Sequence, residues 1–205
     1  MIVTVAHYKG GVGKTTTAVH LAAYLNQHAP TLLLDGDDNR IAMAWAAGGP
    51  GFPFKVADEA EAPMLVQSGQ FKHIVIDTAQ KPNDADLRAL TKGCNLMVIP
   101  AVPAGLDNIG LLRTLKGLRA LGATNFRLLL NKYPPPPEPE GEQLRGDLER
   151  EGLPMFGTHI PRLKAYDKCT YTGQLVQDVN DRNAKRAWAA FEAVGKELLS
   201  YDAAK

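Results

Sequence analysis

The chain is predicted to fold as α/β: a doubly wound, mostly parallel sheet with helices on both faces. Three observations carry this. Short apolar or β-branched runs alternate with longer segments of helical periodicity along all 205 residues. The runs are continuously apolar, as in strands covered on both faces, rather than alternating apolar with polar. No internal repeat breaks the rhythm, so residues 1–205 read as one domain, long enough to bury a sizeable core.

The elements follow in chain order. "IVTVA" (2–6) is the first strand, and a helix Lys14–Gln27 follows it through a glycine-rich turn. "TLLL" (31–34) is the second strand, with a helix Asn39–Ala47 behind it. "HIVID" (73–77) leads to Asp84–Thr91, "NLMVIP" (95–100) to Asp107–Leu121, and "FRLLLN" (126–131) to Glu140–Glu151. Strands joined by helices imply right-handed crossovers. "YPPPPEPEGE" (133–142) has four consecutive prolines, which favour stiff extended backbone, so an exposed loop is expected there. A last helix is predicted from Asp181 to Tyr201. Its Trp188, Phe191, Val194, Leu198 and Leu199 recur every three or four residues, a stripe suited to covering the sheet. The tail "SYDAAK" is neither apolar nor strongly basic, which argues against a membrane-surface helix.

Composition excludes several classes. Hydrophobic residues make up 45% and the formal net charge is +1, so bulk charge marks neither a nucleic-acid nor a membrane binder. No apolar run approaches the ~20 residues of a membrane span. The opening "MIVTVA" lacks the basic and apolar regions of a signal peptide, so a cytoplasmic protein is expected. Cys94 and Cys169 stand in no C-x-x-C and no His cluster, and read as buried thiols in a reducing compartment.

"HYKGGVGKTTT" (7–17) carries the chemistry. Gly13, Lys14 and Thr15 match the end of the phosphate-loop pattern G-x-x-x-x-G-K-[ST], in the required strand–turn–helix context, which makes this a P-loop NTPase sheet. Gly10, Gly11 and Gly13, with Val12 between them, can turn backbone N–H groups inward as an anion nest. Thr15 and Thr16 open a helix whose N-terminus favours phosphate. Lys14 can reach the β- and γ-phosphates of ATP, and the Thr15 hydroxyl can ligate Mg²⁺. The dinucleotide pattern G-x-G-x-x-G fails, because Thr16 stands at the last glycine position. Two features are irregular. Tyr8 occupies the first glycine position, and Lys9 adds a second lysine. If two sites met face to face, their phosphates would repel, and a lysine crossing from each loop would relieve that. An exposed lysine in a flexible loop is the other reading, and physics alone leaves both open.

Further candidates sit at strand ends, where open α/β sheets bind ligands. Asp77 ends its strand, a place for a carboxylate near Mg²⁺ or for a helix cap. Asp35 and Asp37 have the i, i+2 spacing that points two side chains the same way in an extended segment. That suits Asp35 in the outer Mg²⁺ shell and Asp37 placing or polarising the attacking water; the alternative is a solvated acidic loop. The Asn131 amide offers a donor and an acceptor complementary to adenine, or forms a turn.

"KGGVGKTTT" resembles the deviant Walker A motif of the ParA/MinD family of ATPases. "LLLDGDDNRIAMAWA" (32–46), "HIVIDTAQ" (73–80), "NLMVIPAVPAGLDNIGLL" (95–112), "LLLNKYPP" (128–135) and "THIPRLKAYDKC" (158–169) also resemble family segments, so the likeness spans nearly the whole chain. It is nearest to short partition ATPases without an N-terminal helix-turn-helix domain. The resemblance implies that Lys9 is the signature lysine, contacting nucleotide across an ATP-sandwiched homodimer. It ties Asp37 to hydrolysis, Asn131 to adenine, and Pro161 of "IPR" to the wall of the adenine pocket. The chain departs from the family at His7 and Tyr8, and at Asp38, where the family has proline.

The function implied is an ATP- and Mg²⁺-dependent partition ATPase that segregates plasmid or chromosomal DNA. It would be stimulated by a ParB-type or small centromere- or cargo-binding adaptor, and would be nucleoid-associated when ATP-bound. Alternatives are positioning of a protein cargo on the nucleoid and a MinD-like membrane-associated ATPase; no stable membrane association is expected. A dethiobiotin-synthetase-like ligase is disfavoured by Lys9, and an iron–sulfur relative by the placement of the cysteines. Non-specific DNA binding is expected from the basic residues after Ile160, with Arg162, Lys164, Arg182, Lys185 and Arg186 as the footprint. Lys168, Lys196 and Lys205 complete the basic set, against six acids in the same stretch.

Overall fold

A computed structural model of the chain describes residues 1–80, 84–103 and 108–203. The strands expected from sequence form as β1 (Ile2–Val5), β2 (Thr31–Gly36), β4 (His73–Thr78), β5 (Leu96–Ala101) and β6 (Phe126–Leu130). β3 (Lys55–Asp58) was not expected, because only Ala57 of its four residues is fully buried and no apolar run marks it. All six pair in parallel in the order β3-β2-β4-β1-β5-β6. The chain winds away from β1 on both sides, so the carboxyl end of β1 is the point where strand order reverses.

The described helices are α1 (Lys14–Asn26), α2 (Ile41–Ala47), α3 (Ala62–Gln67), α4 (Asp84–Gly93), α5 (Asn108–Ala120), α6 (Glu140–Arg150), α7 (Lys164–Thr172) and α8 (Ala184–Ala203). Asp107, the expected start of the α5 helix, lies outside the described residues, as does Lys205. α2 starts two residues later than expected, because the Asp37 carboxylate accepts from the Asn39 N–H and holds a turn there. Asp181 likewise accepts from the Asn183 N–H, which delays α8 to Ala184. α3 and α7 were not expected. α7 buries only Ala165 and Cys169, an i, i+4 pair too sparse to read as a stripe.

Each strand sends alternate side chains to opposite layers. Val98 and Leu129 enter a core with α1, α2, α7 and α8, whereas Met97, Ile99, Leu128 and Leu130 meet residues of α4, α5 and α6. Trp188, Phe191, Val194 and Leu198 are buried in the first core and Leu199 packs against it, so the stripe of the last helix covers the sheet. Within the described residues no helix is long and apolar enough to cross a membrane. Cys169 is buried and Cys94 half-buried, and neither is in a disulfide. Strand register places the site: Asp77 pairs with Val5 on one side and with Asp35 on the other, and Asp35 pairs with Asp58. Three carboxylates therefore stand in a row across neighbouring carboxyl ends.

Candidate functional site

The phosphate loop leaves β1 at its carboxyl end and turns directly into α1. Gly11 and Gly13 take φ of 77° and 90°, backbone that favours glycine. Gly13 caps α1, and its carbonyl accepts from the Thr17 N–H at 2.9 Å. Tyr8 and Lys9 are not among the residues with positive φ, so the missing first glycine is not required by backbone geometry. A Cβ at Gly10 would stand 2.6 Å from Gln80 Oε1, the end of an exposed side chain that can move aside.

Lys14 is 6% exposed and lines a cleft of about 670 Å³ with Gly11, Gly13, Thr15, Thr16 and Asp37. That size suits a small ligand. Burial lowers the Lys14 pKa, while the Asp77 and Asp37 carboxylates work to raise it. Lys9 is exposed and is not among the residues lining this cleft. The two lysines of one loop thus face different surroundings.

The acidic residues divide by their partners. Both Asp77 oxygens are buried without a hydrogen bond of ordinary geometry. Burial pushes this carboxyl up to about 7, the nearby Thr15 hydroxyl opposes that, and Asp35 adds to it. A buried carboxylate without a partner beside a hydroxyl and a lysine is a donor set that fits a hydrated divalent cation. Asp35, expected in the outer Mg²⁺ shell, has backbone partners of its own. Its two oxygens accept from the backbone N–H groups of Asp37 at 3.1 Å and Met43 at 2.9 Å. It shapes the loop and anchors α2. Asp37 spends one oxygen on Asn39, through the backbone N–H at 2.9 Å and Nδ2 at 3.0 Å, and still lines the cleft. Arg40, which the sequence reading passed over, bridges the row: its guanidinium donates to the Asp35 carbonyl at 2.7 Å and pairs with Asp58 at 2.9 Å.

Asn131 lines the cleft, but its amide is committed locally. Nδ2 donates to the Val12 carbonyl at 2.9 Å, and Oδ1 accepts from the Lys132 N–H. A Cβ on Gly13 would stand 2.5 Å from Nδ2. The turn-forming role weighed for this residue is therefore present, together with a brace on the loop, and the expected adenine contact does not have the whole amide. Lys132, unpredicted, adds a second brace, from Nζ to the Gly11 carbonyl at 2.7 Å. It stands directly after Asn131, and nothing in the pattern G-x-x-x-x-G-K-[ST] points to it. Pro161 lines the cleft opposite the loop.

The basic candidates separate. Arg162 and Lys164 also line the cleft, and Arg162 is ion-paired with Glu138, which removes it from a free cationic surface. Arg182, Lys185 and Arg186 are exposed at the start of α8, against which α7 packs through Tyr166 Oη donating to the Ala187 carbonyl.

The family described as the CobQ/CobB/MinD/ParA nucleotide binding domain matches residues 3–176. Over 202 residues the chain is 33% identical to the maintenance of carboxysome distribution protein A of Gloeobacter kilaueensis, covering 96% of this chain and 93% of that protein. The protein of the same name from Halothiobacillus neapolitanus is 25% identical over 193 residues, 89% of each. Among solved structures, apo McdA of Cyanothece matches with a TM-score of 0.71, covering 94% of this chain and 98% of that one; at 18% identity this shows the fold.

Proposed function

Because the chain belongs to the CobQ/CobB/MinD/ParA nucleotide-binding family and is an ATPase, we propose that, with ATP and Mg²⁺ at this site, it positions a protein cargo through an ATP-dependent homodimer. The observation that carries the dimer is the division of labour between lysines: Lys14 lines its own cleft, whereas Lys9 does not. In this reading a loop lysine that does not line its own cleft serves a neighbour's phosphates. Segregation of DNA, the leading expectation from sequence, becomes the second reading. Two curated relatives that match almost end to end are named for carboxysome distribution, which favours a protein assembly as cargo.

In this reading the backbone N–H groups of residues 10–16 hold the phosphates and Lys14 supplies the buried cation. Thr15 and Asp77 would hold magnesium, which when bound neutralises charge on the β- and γ-phosphate oxygens. The free oxygen of Asp37 orients a water for in-line attack on the γ-phosphorus, giving ADP and phosphate. Loss of the γ-phosphate releases the loops after β2 and β4, and with them the dimer. DNA would serve as a non-specific track, and an adaptor on the cargo would stimulate hydrolysis.

The test is deletion in the native host. Clustering of one protein assembly with normal inheritance of all replicons is the expected result. Loss of a plasmid, with protein assemblies evenly spaced, would restore the DNA-segregating reading. In vitro, Lys14→Ala should abolish ATP binding in calorimetry, and retained micromolar affinity would overturn the loop assignment.

A further inference from the structure

His7, Tyr8 and Lys9 depart from or extend the phosphate-loop pattern, and all three fasten to a single helix. The Lys9 N–H donates to His7 Nδ1 at 2.9 Å. Nδ1 also stands 3.4 Å from the Lys9 carbonyl, but the shorter contact, to an obligate donor, requires an unprotonated Nδ1 with the proton on Nε2. His7 is 1% exposed, and burial, with the Lys14 and Lys9 charges adding to it, pushes its imidazole down to about 4. The ring is therefore neutral and keeps its acceptor.

Both residues rest on Gly110 of α5. A Cβ at Gly110 would stand 2.9 Å from Lys9 Cβ and 3.0 Å from His7 Cε1. The Tyr8 N–H donates to Thr114 Oγ1 at 3.4 Å, and the Arg113 guanidinium lies 5.7 Å from the centre of the Tyr8 ring. Positions 110, 113 and 114 share one face of a helix. Glycine inside a helix is unfavourable relative to alanine, and here it stands where the loop makes its closest approach. On the same helix Ile109 and Leu112 are 62% and 64% exposed, so the seat borders apolar surface.

We infer that His7 is a positioning residue for Lys9, and that with the Gly110 floor of α5 it fixes the direction in which this lysine leaves the loop toward a second copy of the chain. This rests on the cross-dimer reading of Lys9. It also answers why the loop does without its first glycine: a side-chain seat takes the place of backbone freedom, and ties Lys9 to α5 as one unit.

The experiment compares His7→Ala, His7→Asn, Gly110→Ala and Lys9→Ala. Each is measured for thermal stability, for ATPγS affinity as monomer by calorimetry, and for ATPγS-driven dimerisation by sedimentation. Asn at position 7 can accept from the N–H two residues on, so His7→Asn should dimerise like wild type. His7→Ala and Gly110→Ala should keep monomer affinity within about twofold and weaken the dimer about tenfold, the scale of one lost hydrogen bond at a charged group. Gly110→Ala should also melt no lower than wild type, which separates misplacement of Lys9 from loss of fold. Wild-type dimerisation by Gly110→Ala, with Lys9→Ala defective, overturns the seat and leaves the reading of Lys9 standing. Wild-type dimerisation by Lys9→Ala overturns both.

Discussion

Asp77 is a carboxylate that the fold buries at the carboxyl end of β4 without giving either oxygen a regular hydrogen bond. Its carboxyl is pushed up to about 7 from the usual 3.8, chiefly by burial. A raised folded-state pKa means that the folded chain takes up a proton between pH 3.8 and 7 that the unfolded chain does not. Stability without nucleotide therefore falls as pH rises through that window, and the deficit is complete above pH 7. Asp77→Asn should stabilise the nucleotide-free protein at pH 8 by about 1–3 kcal/mol, while abolishing Mg²⁺-dependent hydrolysis. Urea unfolding with an unchanged or lower midpoint would show that the charge is not strained. Asp37 differs: half its carboxylate is spent on Asn39, and the other half faces the cleft. Asp37→Ala should lower turnover by at least about 100-fold and leave ATP-bound dimers intact, the result of losing a water-orienting group. Hydrolysis at the wild-type rate would remove it from the mechanism. Lys14, Thr15 and Asp77 were legible in the sequence because a motif or strand end fixes their place. For Asp35 the i, i+2 spacing gives direction but not its backbone partners, the N–H groups of Asp37 and Met43.

α1 shows how far element-scale reading goes. Its start at Lys14 follows from the glycine turn, but its burial on nearly every side leaves little periodicity, so the sequence does not say what each face meets. His20 is the consequence. It is fully buried, donates from Nδ1 to the Thr16 carbonyl at 2.7 Å, and accepts from the Val176 N–H at Nε2 at 3.1 Å. Phe191 stacks on the ring at 4.7 Å, with Trp45 and Tyr166 edge-on, so no carboxylate faces it among these packed rings. One neutral tautomer satisfies both bonds; a second proton would set Nε2–H against the Val176 N–H. Burial pushes the imidazole down to about 4 from 6.5. A lowered folded-state pKa for histidine means the unfolded chain binds the extra proton first. Stability is whole above pH 6.5 and falls by roughly 3 kcal/mol as pH drops toward 4. His7 adds a loss of the same sign. Asp77 opposes both histidines in the same window, so His20→Gln should shift the change in stability between pH 6.5 and 4, read by urea unfolding, by roughly 3 kcal/mol in favour of the acid side relative to wild type. Identical slopes for variant and wild type would remove His20 as the source. β3, α3 and α7 escaped the sequence for a related reason: these short elements bury one side chain, none and two respectively, and no period of 2 or 3.6 can be counted over so few.

On the scale of the whole molecule, the formal charge of +1 sets the problem for a protein proposed to use DNA as its track. Arg162 is paired with Glu138, and Lys168 lies 3.5 Å from Asp181, so the basic excess after Ile160 is thinner than the sequence count suggests. What remains exposed at the start of α8 is Arg182, Lys185 and Arg186. Three phosphate contacts give weak binding at cellular salt. Two copies double the contacts on one particle, and each further phosphate neutralised steepens the salt dependence by about 0.9 in log K per log salt. Affinity should therefore follow dimerisation, and dimerisation ATP, without any element that reads base sequence. In filter binding on random duplex, the ATP state should bind at least about tenfold tighter than the ADP state, with a salt slope near twice as steep. Lys185→Ala/Arg186→Ala should reduce that slope, and reduce it equally on duplexes of different sequence. Equal affinity with ATP, ADP and no nucleotide would remove the switch, and a slope untouched by the double variant would place the footprint elsewhere on the molecule.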